Sequence, residues 1–198
     1  MNCILKIIFF IGFILVSPII ILALIVIWVE DGSPAIFVQE RLGQNKKNFN
    51  LYKLRTMYKN TPNLGTHEIE NIHHLKAGSV LRKYKIDELP QLINYFKNEL
   101  ALIGPRPGLP NQLELKHYRD KFNVFKSKPG ITGLSQVLGY DMSNPKLLSL
   151  VDALYIKEKT FKLDIMIFCA TFLGAFKKRL NIKFHDRINK IKKELQNV

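Results

Sequence analysis

A chain of 198 residues has the length of one domain of ordinary size, and 30 Lys and Arg against 16 Asp and Glu give it a formal charge of +14, so its partners carry negative charge: nucleic acid, anionic lipid or phosphorylated small molecules. The two cysteines, Cys3 and Cys169, lie near opposite ends without paired or metal-ligand spacing, which excludes a disulfide framework and a zinc site. Nucleic acid is the weakest of the three partners, since the aromatics fall in apolar, core-like patterns and no recognition motif is present.

The chain opens on membrane character. Ile7 to Val29 is 23 residues without a charge, about 34 Å as a helix, which is enough to cross a ~30 Å hydrocarbon layer. A signal peptide fits poorly, because Glu30-Asp31-Gly32 follows the run in place of a small-residue cleavage site. Ser17-Pro18 falls at its midpoint: Pro18 has no N–H to donate and crowds the Ile14 carbonyl, and the Ser17 hydroxyl can cap a freed carbonyl nearby. A kinked span and a re-entrant helix that leaves on its entry face both follow from this.

Residues 35–41 and 49–55 read as two strands joined by a polar turn, a hairpin. Residues 56–77 are weakly patterned, and His67, His73 and His74 lack metal-ligand spacing. A short basic helix is expected over 79–85. From Glu88, the apolar residues Leu89, Leu92, Ile93 and Phe96 recur at helical spacing, which predicts a helix to about Asn98 with these four on its buried face. Asp87 is then its N-cap, and Pro90 sits where no backbone donor is needed.

Leu100–Ile103 reads as a short buried strand, followed by two rigid turns, Gly104-Pro105-Arg106-Pro107-Gly108 and Lys128-Pro129-Gly130-Ile131-Thr132-Gly133. Ser143-Asn144-Pro145 opens another helix. The apolar run Ile165–Phe176 is too short to span a bilayer and fits a helix against the core or in the membrane interface. Residues 177–198 hold eight Lys or Arg and two Asp or Glu, with Leu180, Phe184, Ile188, Ile191 and Leu195 at helical spacing. Such a helix either docks on anionic lipid or packs on the domain with its basic face in water.

The chemistry concentrates at Asp87-Glu88. An N-capping carboxylate is ionised and fixed in direction, as a nucleophile must be. Glu88 beside it favours a bound Mg²⁺ or a proton shared with a reactant. Arg82, and Arg106 between two prolines, suit bidentate phosphate recognition. On the dipeptide alone, an ordinary helix-capping pair is the simpler reading.

The surrounding motifs change that balance. "VQERLGQNKKNFNLYKLRTM" (38–57), "VLRKYKIDELPQLIN" (80–94), "LIGPRP", "KPGITGLSQV" and "LDIMIFCATFLG" (163–174) resemble, in the same order and over nearly the whole chain, the bacterial sugar transferase family of monotopic polyprenyl-phosphate sugar-1-phosphate transferases. The resemblance implies an α/β (mixed α+β) membrane-associated domain with a re-entrant helix broken at Ser17-Pro18, a small hairpin and interfacial amphipathic helices. The expected layout is a membrane helix over 1–31, a catalytic domain over 32–178 and a basic amphipathic helix over 179–198.

It also implies a reaction: a sugar-1-phosphate passes from a UDP-sugar to a polyprenyl phosphate at the cytoplasmic face of the bacterial inner membrane, and UMP leaves. Asp87 would be the nucleophile and Mg²⁺ site, with Glu88 assisting. Arg82 and Arg106 would hold phosphates, and Lys53 and Arg55 would extend the positive surface. The chain departs from the family where Gly139-Tyr140-Asp141 replaces a common Gly-Arg, a candidate nucleotide contact, and around His67-Glu68. The competing reading is a non-catalytic, membrane-anchored module that binds anionic lipid through its basic tail, for which Asp87 would be dispensable.

Overall fold

The computed structural model describes residues 3–61 and 74–196, so that His67, Glu68 and His73 lie outside the described residues. It is a mixed α/β protein with an apolar N-terminal helix and a small hairpin. The chain divides into two compact units, Met1–Glu40 with Asn50–Asn98, and Arg41–Phe49 with Glu99–Val198.

The first unit begins with α1, Cys3–Asp31, which runs through Pro18. The proline leaves the Ile14 carbonyl without its usual donor, and the Ser17 hydroxyl supplies one at 2.7 Å. Phe10–Asp31 is long and apolar enough to cross a membrane. One stripe of α1 is covered, with Ala23 and Ile27 packed on Leu54, Leu75 and Leu81. Ile14, Leu15, Leu22, Trp28 and Val29 are exposed, an apolar surface that calls for lipid.

Strands β1, Ile36–Leu42, and β2, Asn48–Leu54, form the hairpin, whose tip belongs to the second unit. Helix α2, Lys76–Lys83, starts three residues earlier than expected. The Glu30 carboxylate accepts from its first two amides, Lys76 N at 2.6 Å and Ala77 N at 3.1 Å, a cap supplied from far back in the chain. Gly78 lets α2 lie against the Thr56 backbone, where a Cβ would overlap the Thr56 carbonyl oxygen.

The segment after α2 corrects the expected helix start. Lys85 adopts φ 61° and turns the chain into a 3₁₀ turn, Ile86–Glu88, and α3 spans Gln91–Phe96 behind Pro90. Asp87 is therefore the middle residue of a tight turn, and it does not cap the helix. Because Pro90 cannot donate to the Ile86 carbonyl, the Leu89 amide takes that acceptor at 3.1 Å, an i to i+3 bond. The tighter winding also moves the buried face. Gln91, Asn94 and Tyr95 are buried, Ile93 is exposed, and Phe96 sets its edge against Phe10 and Phe13 of α1.

In the second unit, β3, Ala101–Ile103, pairs in parallel with β4, Gly130–Thr132, in the register Ala101 to Gly130 and Ile103 to Thr132. Three glycines permit the approach: a Cβ on Gly130 would overlap the Gly104 amide nitrogen, and one on Gly133 the Gly104 oxygen. Helices α4, Leu113–Lys121, α5, Leu134–Leu138, and α6, Pro145–Glu158, follow. The last starts as expected, with Asn144 Oδ1 accepting from the Leu147 amide and Pro145 in the first turn. Arg119, Ser135 and Asp152 form a buried polar knot joining these three helices: Arg119 Nη2 and Ser135 Oγ each donate to Asp152 at 2.7 Å.

The last two helices are α7, Phe161–Phe172, and α8, Gly174–Gln196. Leu180, Phe184 and Ile188 of α8 are buried in the core with Ile191 and Leu195 packed against it, so this stripe serves the unit's interior. Its eight Lys and Arg side chains face solvent. On α7 the exposed large apolar residues are Phe161, Ile165, Phe168 and Phe172, a stripe at helical spacing opposite buried Leu163, Ile167 and Ala170.

Candidate active site

Within the first unit the chain brings Asp87 and Glu88 together with Lys53 and Arg82. Asp87 is 7% exposed, and its Oδ1 is buried without a hydrogen-bond partner. A buried, unpartnered carboxylate oxygen is costly in a folding core, and such groups concentrate at functional sites. Burial pushes the Asp87 carboxyl above its ordinary value, and the neighbouring Glu88 pushes the same way; Lys53, Arg82 and Lys85 oppose them. The expected helix cap is absent, and the cations beside Asp87 are what oppose the effect of its burial.

Lys53 comes from β2 and bonds Glu88: its Nζ lies 3.1 Å from Oε1, with both side chains largely covered. Arg82 stands on the last turn of α2 and Lys85 at the start of the 3₁₀ turn. The left-handed turn at Lys85, whose amide bonds the Arg82 carbonyl at 3.2 Å, thereby sets both cations beside one aspartate.

Arg55 is used differently. Its guanidinium is 7% exposed and closes the end of α1, with Nη2 donating to the Gly32 carbonyl at 2.7 Å and lying 3.2 Å from Asp31 Oδ2. It neutralises the negative end of that helix, and the structure does not bring it to Asp87. Arg106 lies in the second unit, half-buried between buried Pro105 and Pro107. Its turn is fixed by Arg41 Nη1 donating to the Pro107 carbonyl at 3.0 Å, by the Leu42 amide on the Gly108 carbonyl, and by the Gly130 amide on the Pro105 carbonyl. Tyr140, where the family resemblance led to an arginine, is half-buried with Lys192 of α8 over its ring at 5.5 Å.

Sequence reasoning missed three residues. Lys85 was legible as a cation two positions before the aspartate. Arg41 and Asn94 are polar residues at positions that fold inward, and only a tertiary partner reveals them.

Asp87 Oδ1 and the adjacent Glu88 have the hard-oxygen character that suits Mg²⁺, and the unsatisfied buried oxygen is the feature such an ion would complete. No cluster of three or more His, Cys, Asp or Glu occurs among the described residues. The set fits the habit of Mg²⁺, which takes one or two carboxylates and completes its shell with water and substrate phosphate.

Comparison with known proteins gives one family. Residues 2–178 match the bacterial sugar transferase model. The uncharacterized sugar transferase EpsL of Bacillus subtilis is 38% identical over 156 residues, 78% of this chain and 76% of the relative. The UDP-N-acetylgalactosamine-undecaprenyl-phosphate N-acetylgalactosaminephosphotransferase of Aeromonas hydrophila is 32% identical over 77% of this chain and 38% of its own length. The UDP-glucose:undecaprenyl-phosphate glucose-1-phosphate transferase of Caulobacter vibrioides is 34% identical over 63% of this chain and 48% of its own length. The chain thus spans less than half of these last two relatives.

Proposed function

Because the chain belongs to the bacterial sugar transferase family, we propose that it transfers a sugar-1-phosphate from a UDP-sugar to undecaprenyl or a related polyprenyl phosphate, as an initiating step in surface polysaccharide or glycoconjugate assembly. The observation that carries the reading is Asp87, a buried carboxylate with an unsatisfied oxygen in the field of Lys53, Arg82 and Lys85.

Burial makes this carboxylate more basic and therefore a better nucleophile, while the three cations oppose that rise and favour its ionised form. An Asp87 oxygen attacks the sugar-linked phosphorus. The P–O bond to the uridine phosphate breaks, its electron pair leaves with UMP, and a phospho-sugar ester of Asp87 remains. In the second step an oxygen of the lipid phosphate attacks the same phosphorus and returns the Asp87 carboxylate. Both substrates are anions, so a surplus of cations is required to bring them together. Arg82 and Lys53 serve that need, and Arg106, held rigidly in its turn, is assigned to a phosphate on the strength of the family resemblance. Mg²⁺ held by Asp87 with Glu88 would offset diphosphate charge when bound.

The site sits in a protein built for a membrane. The exposed apolar flank of α1 and the stripe on α7 support seating in a bilayer, proposed here as the bacterial inner membrane with the catalytic residues on the cytoplasmic face. The Ser17-Pro18 pair supports a re-entrant course for α1. With Cys169 replaced, Cys3 should then resist a membrane-impermeant thiol reagent applied outside the cell; labelling from outside would establish a full span.

UMP release measured over a panel of UDP-sugars with polyprenyl phosphate and Mg²⁺ tests the reaction. At least one donor should give UMP and a lipid-linked sugar phosphate in equal amounts. Release of the free sugar phosphate, or no UMP from any donor, would overturn the assignment.

A further inference from the structure

Asn94 is fully buried at 0% exposure, on the helix that follows the acidic pair, and both ends of its carboxamide are used on one strand. Nδ2 donates to the Asn50 carbonyl at 2.7 Å, and Oδ1 accepts from the Tyr52 amide at 3.2 Å. Among the described residues, strand β2 has β1 as its only sheet neighbour, so the carboxamide supplies the donor and acceptor that a further strand would offer at residues 50 and 52. Lys97, one turn on, adds a second clasp, with its Nζ 3.1 Å from the Tyr52 hydroxyl.

The next residue along β2 is Lys53, whose Nζ meets Glu88. Glu88 and Asn94 belong to a continuous succession of turns, tied by the Glu88, Leu89, Leu92 and Ile93 amides on carbonyls three residues back. Two stiff pieces, the strand and the turn-helix segment, are therefore joined at three points. One is a neutral buried carboxamide with fixed geometry, the other two are flexible lysines. A lysine stem has four rotatable bonds and does not set a register by itself; a doubly bonded, fully buried carboxamide does.

We propose that Asn94 is a positioning residue of the active site, which fixes β2 against the Asp87-Glu88 turn so that Lys53 is delivered to the acidic pair. The proposal rests on the reading of that pair as the reacting group, and it predicts that loss of Asn94 is felt at Asp87, to which Asn94 itself makes no hydrogen bond. The charged groups facing Asp87 are Lys53 from β2, Glu88 from its own turn, Arg82 from α2 and Lys85 at the start of the turn. Of these, Lys53 depends on the strand's register. Displacing it parts the Lys53 ammonium from Glu88 and leaves the acidic pair without the cation that β2 carries.

The test compares the full-length protein in nanodiscs with Asn94→Ala, the milder Asn94→Ser, and Leu75→Ala as a control that weakens the core of the same unit without touching β2's clasp. Three quantities are read: hydrogen exchange at the Tyr52 amide, the ¹⁵N signal of the Lys53 ammonium, which its contact with Glu88 shelters from solvent exchange, and the kcat and donor KM of UMP release. Asn94→Ala should speed exchange at Tyr52, broaden away the Lys53 ammonium signal, and lower kcat roughly tenfold with KM changed less than about twofold. Asn94→Ser should give the same signs at smaller size, and it carries the test if the alanine variant does not fold. Leu75→Ala should leave the Lys53 signal in place. An unmoved Lys53 signal in a folded Asn94 variant, or an equal change in Leu75→Ala, would reduce Asn94 to a structural role. The ammonium signal needs no turnover, so its loss in Asn94→Ala of a protein that releases no UMP would overturn the transferase reading and leave this one standing.

Discussion

Asp87→Asn is expected to lose at least roughly 10³-fold in UMP release while melting at the same temperature as the parent or higher. The first effect follows from chemistry: an amide oxygen cannot form the phospho-sugar ester and give back a carboxylate. The second follows from linkage. Folding raises the Asp87 carboxyl above its ordinary 3.8 through burial, against the pull of Lys53, so between those two values the folded protein holds a proton that the unfolded chain has lost. Stability therefore falls as pH rises through that window and stays lower at neutral pH. Asn removes the penalty, and its advantage should be full at neutral pH and vanish below about 3.8. Melting curves in EDTA at several pH values read this directly. A variant that unfolds at lower temperature at neutral pH would mean that Asp87 serves the fold, and the loss of activity would then carry no mechanistic weight.

Lys53→Met has the second largest expected effect. Methionine keeps the apolar stem against its neighbours and removes the charge. Glu88 Oε1 then loses the ammonium at 3.1 Å, although its side chain is only 12% exposed, which should cost about 2 kcal/mol of stability. Asp87 loses the strongest cationic influence on it, so its carboxyl rises further and the acid limb of the kcat/KM profile moves to higher pH. At a pH above the limb the remaining deficit reports on transition-state charge, expected at roughly 10²-fold. If the acid limb stays in place, Lys53 does not govern the ionisation of Asp87, and the charge arrangement proposed for the site is wrong.

How far the sequence reveals this site depends on the distance between partners. The hairpin, the short strand at Ala101–Ile103 and the start of α6 at Asn144-Pro145 were legible because their signals are local: alternation, turn residues, a cap followed by proline. The buried stripe of α8 was legible for the same reason, though its choice between core and lipid needed the fold. The start of α2 was hidden because Glu30 caps it from 46 residues away. The environment of Asp87 was hidden likewise, since Lys53 lies 35 residues before the Glu88 it pairs with. Around Pro90 the helical period itself misled. A 3₁₀ turn precedes α3, so Leu89, Leu92, Ile93 and Phe96 do not line the buried face, and the polar Asn94 is buried because a strand needs its carboxamide. Family resemblance drew attention to Asp87, and the structure adds its burial and its cationic neighbours; Arg55, expected to extend the positive surface, closes the end of α1.

The central claim, that Asp87 carries the sugar phosphate between donor and lipid, is tested most directly by incubating the wild-type protein with a productive UDP-sugar and no acceptor. Quenched samples are digested and read by mass spectrometry, with UMP measured alongside. The account predicts UMP in an amount matching the enzyme and a sugar-phosphate mass on the peptide that contains Asp87, discharged when polyprenyl phosphate is added. UMP formed only in the presence of the lipid phosphate, with no adduct on that peptide, would contradict it and point to direct transfer between the two substrates.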